Sequence, residues 1–352
     1  MSYVRLGRHF SFKGKPNKMI DLYSGPSPFE VFTRMSNELK TFNFGHGSPD
    51  SHPPQFIKDS LQKAMDDPQN YHQYCRPMGQ ADYAQEVANE FSESFGRKLD
   101  PQWEVCTSVG ATGCIVNTLY AYLKPGDEMV CFEPAFLGYA PLFNVIGINT
   151  KWVPFKDNKK EQKFEFDREK FAAAITDKTK LIFINNPHNP CGIHFTKDDL
   201  EFMASLARKT NAIILADEVY EKFVFNNKPF IRFAALPDMW ERTVSVYSSG
   251  KNFSCTGWRV GFSIAPKELT VQLASFQTWN LYCLNTVSAK AIALGMIRAK
   301  SEPYEGYPTY YDWVRETFRW RANKVGEIVS NSTLGIKVSN TNLDVQSGRR
   351  IL

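Results

Sequence analysis

The chain lacks the features that would place it outside the ordinary water-soluble enzymes and binding proteins. None of its seven cysteines, at 75, 106, 114, 131, 191, 255 and 283, belongs to a Cys-x-x-Cys pair, so neither a zinc ribbon nor a dithiol redox motif is written in it. No stretch reaches the roughly 18 apolar residues of a membrane span, and no secretory core precedes a small-residue cleavage site. These absences predict reduced thiols in an intracellular protein with no membrane partner. Histidine is scarce as well. His188 and His194 are separated by a turn-forming stretch and His46 and His52 flank a proline, so neither pair shares a helix face and no metal is expected.

Charge of one sign is not concentrated. The net charge is +5, from 42 basic and 37 acidic residues, and the basic residues are scattered. The densest mid-chain run, Lys156-Asp157-Asn158-Lys159-Lys160-Glu161, is interrupted by acids and reads as a solvated loop. Nothing resembles a nucleic-acid module, and no nucleic-acid partner is expected. Arg5, Arg8, Lys13, Lys15 and Lys18 precede the first acid, Asp21, which a mitochondrial presequence would allow. The segment has no clean amphipathic stripe, so a cytoplasmic location is expected and a mitochondrial one is the alternative.

What is present is an α/β pattern. The 352 residues, 43% hydrophobic and 22% charged, suffice for a large α/β domain and a smaller second one. Strand candidates near 104 to 109, 128 to 132, 181 to 184, 212 to 216 and 243 to 247 alternate with helices. The clearest helix runs from about Lys197 to Arg208, with Thr196 as its cap, Asp199 in capping-box spacing and Leu200, Met203 and Ala207 on its buried face. A helical region is expected over Leu269 to Ala299, and helix again near Thr309 to Ser330. Such alternation predicts a mostly parallel sheet covered by helices, with the site at the carboxyl ends of the strands.

Four segments put chemistry at those ends. Ala212-Ile213-Ile214-Leu215-Ala216-Asp217-Glu218-Val219-Tyr220 runs from a buried strand into carboxylates. Leu181-Ile182-Phe183-Ile184 opens into Asn185-Asn186-Pro187-His188-Asn189-Pro190, two Asn-Pro turns that present amide side chains. Val105-Cys106-Thr107-Ser108-Val109-Gly110-Ala111-Thr112-Gly113 passes from a strand to an apolar helix whose first N–H groups would face an anion, with Ser248 and Arg259 completing the phosphate site. Ser248-Ser249-Gly250-Lys251 places a lysine among small hydroxyl-bearing residues, with Arg259 eight positions on. Such a lysine can bind a cofactor aldehyde as a Schiff base, as a pyridoxal phosphate lysine does.

Taken in order, these segments resemble the fold-type I pyridoxal phosphate enzymes, specifically the class I aminotransferases. Within them the chain is most similar to the kynurenine aminotransferases, also called cysteine S-conjugate β-lyases and glutamine transaminase K, from about Phe29 to about Asn340. The resemblance implies an α/β fold of type I with a smaller α+β domain. It divides the chain into an arm over residues 1–50, a large cofactor domain over 51–305 and a small-domain part over 306–352.

The resemblance also implies roles. Lys251 is similar to the cofactor lysine, Asp217 to the partner of the pyridinium nitrogen, and Tyr220 with Asn189 to the partners of the phenolic oxygen. Phe136, in Phe132-Glu133-Pro134-Ala135-Phe136, resembles the aromatic that stacks on the pyridine ring. Ala111, Thr112, Ser248 and Arg259 would hold the phosphate. Gly47 matches a glycine whose backbone approaches the substrate carboxylate, where a missing Cβ permits close contact, and Asn189 would share in substrate binding. Tyr74 matches a tyrosine that reaches the phosphate of the neighbouring subunit, which implies a homodimer. Phe29, Phe44, Tyr74 and Tyr282 would line an apolar pocket suited to kynurenine, phenylalanine, methionine or glutamine, with a 2-oxo acid as the second substrate.

One departure stands against the resemblance. The family's small domain continues and supplies an arginine for the substrate α-carboxylate, whereas Ser339-Asn340-Thr341-Asn342 and the residues beyond them are unlike the family. Arg349 and Arg350 are not assigned that role, since a planar guanidinium fork is not replaced by any cation elsewhere. Two alternatives to an active transaminase therefore stand: a truncated, cofactor-binding isoform with little turnover and exposed apolar surface, and a dedicated β-lyase or decarboxylase on the same scaffold.

Overall fold

A computed structural model describes residues 18–333, apart from 42, 44–46, 48, 50, 161–162 and 226–228. Phe44, Arg349, Arg350 and the basic residues up to Lys15 lie outside the described residues.

Among the described residues, nine strands form two sheets: β1 (Val105–Val109), β2 (Glu128–Glu133), β3 (Asn149–Pro154), β4 (Lys156–Asn158), β5 (Lys163–Glu165), β6 (Thr179–Asn185), β7 (Ile213–Asp217), β8 (Thr243–Ser248) and β9 (Val260–Ile264). The main sheet has the order β1-β9-β8-β7-β6-β2-β3, and β4 with β5 makes a separate hairpin. Strands β3, β2, β6, β7 and β8 run parallel. Strand β9 pairs antiparallel with both β8 and β1. The sheet is thus mostly parallel, as the alternation predicted. The short Lys251 helix and a tight turn, rather than a long crossover, join β8 to β9, so the two can only run in opposite directions.

The parallel strands are buried on both faces, which is why they read as unbroken apolar runs: Leu181, Ile182, Phe183 and Ile184 of β6 and Ile214, Leu215 and Ala216 of β7 are all sealed from water. On one face Phe132 stacks on Phe155 and Phe171, with ring centroids 5.0 and 5.3 Å away. The helix Lys197–Thr210 covers that side. Thr196 caps it in a full capping box with Asp199, and Leu200, Met203, Ala204 and Ala207 are buried beneath it.

The expected helical region after Leu269 is two helices, Lys267–Asn280 and Thr286–Ser301. The break has a local cause. Tyr282 adopts a left-handed φ of 65°, and Asn285 accepts a hydrogen bond from the Ser288 N–H as the cap of the second helix. The last described helix, Tyr310–Ser330, begins at Thr309, whose side chain accepts from the Asp312 N–H. It leaves Trp320, Val325 and Ile328 exposed, the apolar surface that the sequence anticipates there.

Candidate active site

Asp217 is the last residue of β7, and its neighbour in sequence faces the other way. Glu218 is buried behind the sheet, where it accepts hydrogen bonds from the Phe233 N–H at 3.0 Å and from the Tyr247 hydroxyl, and pairs with Arg232 at 3.7 Å. Burial pushes its carboxyl up to about 7, against the pull of Arg232. Asp217 instead lines a cavity of about 170 Å³ together with Ala111, Thr112, Phe136, Asn189, Tyr220, Ser248, Lys251 and Arg259. Gly47 and the nine residues Ala111, Thr112, Phe136, Asn189, Asp217, Tyr220, Ser248, Lys251 and Arg259 line this cavity or the larger one that opens from Lys251, whereas Tyr74, Phe29 and Tyr282 line neither and Phe44 lies outside the described residues.

Asp217 accepts hydrogen bonds from the Tyr139 hydroxyl and, at 3.3 Å, from the Val219 N–H. Burial pushes its carboxyl up to about 6, and these bonds and the Lys251 charge only partly offset that. A buried carboxylate with this little compensation is suited to a cationic N–H partner.

Lys251 sits in the short helix Ser249–Asn252, immediately after β8. That helix is anchored on both sides of the lysine. The Ser249 Oγ is 2.6 Å from the Tyr83 hydroxyl, and the Tyr310 hydroxyl donates to the Asn252 carbonyl at 3.0 Å. The Lys251 Nζ lies 5.5 Å from the centre of the Tyr220 ring. Burial holds its ammonium below the ordinary lysine range, and Arg259 pushes the same way while Asp217 opposes them.

Asn189 is set by a chain of amide contacts. Asn185 donates through Nδ2 to the Asp217 carbonyl at 3.0 Å and accepts the Asn189 N–H at 2.7 Å. The Asn189 Nδ2 then donates to the Tyr220 hydroxyl oxygen at 3.3 Å. Burial pushes the Tyr220 phenol up to about 12, with Asp217 adding to the effect, so it keeps its proton and has a donor to spare.

An anion cradle lies opposite. The helix Gly110–Tyr122 starts where β1 ends and has no side-chain cap, so its first N–H groups are open to a ligand. Gly110 has φ +69°, and a Cβ there would fall 2.7 Å from the Arg259 Nη2. Gly261 lies so close that its Cβ would come within 2.4 Å of the Gly110 carbonyl carbon. Arg259 donates to the Thr256 carbonyl at 3.1 Å and pairs with no carboxylate among the described residues. Its guanidinium is free to grip an anion.

This donor set fits pyridoxal phosphate: an uncapped helix N-terminus, Ser248 and an unpaired arginine for the phosphate, Tyr220 and Asn189 for a phenolic oxygen, a buried carboxylate for a pyridinium N–H, and an amine of lowered basicity for the aldehyde. No group of three or more potential metal ligands occurs among the described residues.

A second cavity, of about 580 Å³, joins Lys251, Asn189 and Tyr220 to Gly47, Phe223, Phe225, Phe318 and Arg321. Its aromatic wall differs from the one expected. Phe29 packs on Phe136 at 6.2 Å, and Tyr74 packs on Tyr282 at 5.2 Å, and none of Phe29, Tyr74 and Tyr282 lines it. Sequence reasoning also missed Tyr139 and Arg321. Tyr139 opens the helix Tyr139–Ile146 just after Phe136, and only its contact with Asp217, 78 residues on, reveals it.

The fold and this site define a pyridoxal phosphate transferase of the aminotransferase type. The chain belongs to the family described as aminotransferase class I and II, whose profile matches residues 40–342. Members of this family use pyridoxal phosphate, the cofactor that the site fits. The chain is 32% identical over 324 residues to a kynurenine–oxoglutarate transaminase of Dictyostelium discoideum, a match spanning 88% of this chain and 74% of that protein. It is also 32% identical to kynurenine–oxoglutarate transaminase 3 of Mus musculus, over 74% of this chain and 59% of that protein. Among solved structures, N-succinyldiaminopimelate aminotransferase from Mycobacterium tuberculosis superposes with a TM-score of 0.84 at 26% identity, covering 92% of this chain and 80% of that one.

Proposed function

We propose that the chain moves an amino group from kynurenine, or another aromatic or sulfur amino acid or glutamine, to a 2-oxo acid. The observation that carries this reading is the convergence of Lys251, Asp217, Arg259 and the uncapped Gly110–Tyr122 helix on one cavity. The names of the relatives support the choice of kynurenine and oxoglutarate. The aromatic wall of Phe223, Phe225 and Phe318 suits an apolar side chain.

Pyridoxal phosphate, when bound, supplies the aldehyde with which a substrate amine condenses and the ring that withdraws electrons from the substrate Cα. Ala111, Thr112, Ser248 and Arg259 hold the phosphate in this reading. Asp217 accepts a hydrogen bond from the ring N–H, with Tyr139 fixing its orientation. Phe136 covers the ring, and Tyr220 with Asn189 binds the phenolic oxygen. Lys251 is the base. Its lowered basicity leaves a larger share of free amine near neutral pH, so its Nζ would accept the substrate Cα proton and hold it for return. Gly47 and Asn189 position the substrate carboxylate, and Arg321, on the wall of the same cavity, supplies its cation.

The active unit is a homodimer in the cytoplasm, in which Tyr74 reaches the partner's phosphate. Tyr74 is 82% exposed, and Trp279, 90% exposed, stands in the last turn of the helix that precedes Tyr282, as an interface requires. Incubation with kynurenine and 2-oxoglutarate tests the reading: release of glutamate supports it. Pyruvate and ammonia from a cysteine S-conjugate, without glutamate, would favour the dedicated lyase instead. Binding of the cofactor with neither product would favour the non-catalytic isoform.

A further inference from the structure

The walls of the larger cavity come from two parts of the chain. One is the segment just after β7, where the Phe223 N–H donates to the Tyr220 carbonyl at 2.8 Å and both residues line the cavity. The other is the helix Tyr310–Ser330, which contributes Phe318 and Arg321. The two walls meet where Phe223 and Phe318 pack edge to face at 5.0 Å. Of that helix only Tyr310, Val314 and Gly326 are buried, so the core does little to fix the turns that carry Phe318 and Arg321. Its first turn is tied down instead. The Tyr310 hydroxyl donates to the Asn252 carbonyl at 3.0 Å, and the Tyr311 hydroxyl donates to the Glu90 Oε2 at 3.0 Å. The Glu90 Oε1 pairs with the Lys222 Nζ at 2.9 Å, and that ammonium lies 4.5 Å from the centre of the Tyr311 ring. Lys222 immediately precedes Phe223, so one small cluster joins both cavity walls to the helix Ala81–Phe91.

We propose that Tyr311 is a positioning residue for the substrate: its bond to Glu90, with Lys222 against its ring, sets the rotation of the helix Tyr310–Ser330 and so where Arg321 stands in the cavity.

Successive residues of an α-helix stand about 100° apart around its axis, so an anchor at Tyr310 fixes where the helix begins and a second at Tyr311 fixes how it is turned. Phe318 lies about two turns beyond Tyr311 on the same face, and Arg321 about one turn further. With the second anchor gone, a roll of about 10° would carry a side-chain tip, about 5–6 Å from the axis, through about 1 Å. A displacement of that size is enough to spoil a bidentate grip on a carboxylate. The anchor is firm because its parts hold one another. Glu90 is largely buried and uses one carboxylate oxygen for Tyr311 and the other for Lys222. Lys222 also reaches Glu221 at 3.4 Å, and Glu221 pairs with the buried Arg232 at 3.4 Å, which ties the cluster to the charges behind β7. This role rests on the reading in which Arg321 meets the substrate carboxylate.

Calorimetric binding to the cofactor-loaded protein, below the melting point of every variant, tests it without turnover. The ligand is 3-phenylpropionate, which has a carboxylate and a ring but no amino or oxo group to react. Tyr311→Phe is expected to weaken its binding roughly five- to tenfold with pyridoxal phosphate affinity unchanged, and Glu90→Gln, which breaks the ion pair with Lys222, to weaken it in the same direction. In an Arg321→Ala background Tyr311→Phe should add little, because a residue that acts through Arg321 has nothing left to position. Equal affinities in wild type and both single variants, losses that simply add in the double variant, a parallel fall in pyridoxal phosphate affinity, or no saturable binding to wild type overturns the proposal. The expected affinities together with no glutamate from kynurenine and 2-oxoglutarate would instead overturn the transaminase reading and leave Tyr311 its role.

Discussion

The Tyr139 hydroxyl donates a hydrogen bond to the Asp217 Oδ2 across 78 residues of sequence, and both side chains are buried. It stabilises the ionised carboxylate at the floor of the cavity, while the Val219 N–H is 3.3 Å from the other oxygen, Oδ1. Tyr139→Phe keeps the ring packing on Phe183, at 4.6 Å, and removes only that bond. Hydrogen bonds to charged groups contribute about 1.5–3 kcal/mol, so kcat should fall roughly tenfold or more while the fold persists. Steady-state kinetics beside a circular dichroism melt check this. An unchanged kcat would mean that Asp217 is oriented without it.

Asp217 should also write itself into the pH dependence of the cofactor-free protein. Its carboxyl is pushed up to about 6 from an ordinary 3.8, so the folded chain binds more protons than the unfolded chain between those values. The stability it contributes is complete below about 4 and is lost as the pH rises through 6. The gap corresponds to about 3 kcal/mol by pH 7. Glu218, pushed up to about 7, acts in the same direction, so the comparison must isolate Asp217. Thermal melts of wild type and Asp217→Asn from pH 4.5 to 7.5 should diverge, with the variant gaining relative to wild type as the pH rises. Parallel curves would contradict the assignment.

Arg259 has no carboxylate partner among the described residues, and its loss should therefore be felt through the ligand rather than the fold. Arg259→Ala is expected to weaken pyridoxal phosphate binding by roughly ten- to hundredfold, the range for one charge-assisted pair, with the melting point of the cofactor-free protein little changed. Equilibrium dialysis measures the first and calorimetry the second.

Much of the fold and the site is legible in the order of residues alone. The apolar runs of β6 and β7 announce parallel strands because both faces are buried, and Thr196 with Asp199 marks a helix start by hydrogen bonds that span only three residues. The site residues are legible for a similar reason: Asp217, Lys251 and Gly110 each sit at a strand end, where the sequence changes from apolar to small or polar. Tyr139, Arg321 and the aromatic wall of Phe223, Phe225 and Phe318 are not. They stand on helices and loops whose placement depends on tertiary packing. Strand β9 escapes because Val260-Gly261-Phe262-Ser263-Ile264 is short and reads as the continuation of the Arg259 turn.

Arg321 gives a prediction separate from cofactor binding. It lines the larger cavity with Lys251 and Gly47, and its guanidinium lies 5.5 Å from the Phe318 ring. Arg321→Ala should raise the KM for kynurenine and for 2-oxoglutarate roughly tenfold or more, with cofactor affinity unchanged, and Arg321→Lys should restore only part of the loss. Equal KM values in variant and wild type would remove it from substrate binding.

The central claim is that Lys251 is the residue that holds the cofactor, and borohydride reduction tests it most directly. The protein is saturated with pyridoxal phosphate, reduced, digested and mapped by mass spectrometry. A phosphopyridoxyl group on the peptide containing Lys251, and its absence in Lys251→Ala, is the predicted result. A saturating label on any other lysine, or none on this one, would contradict it.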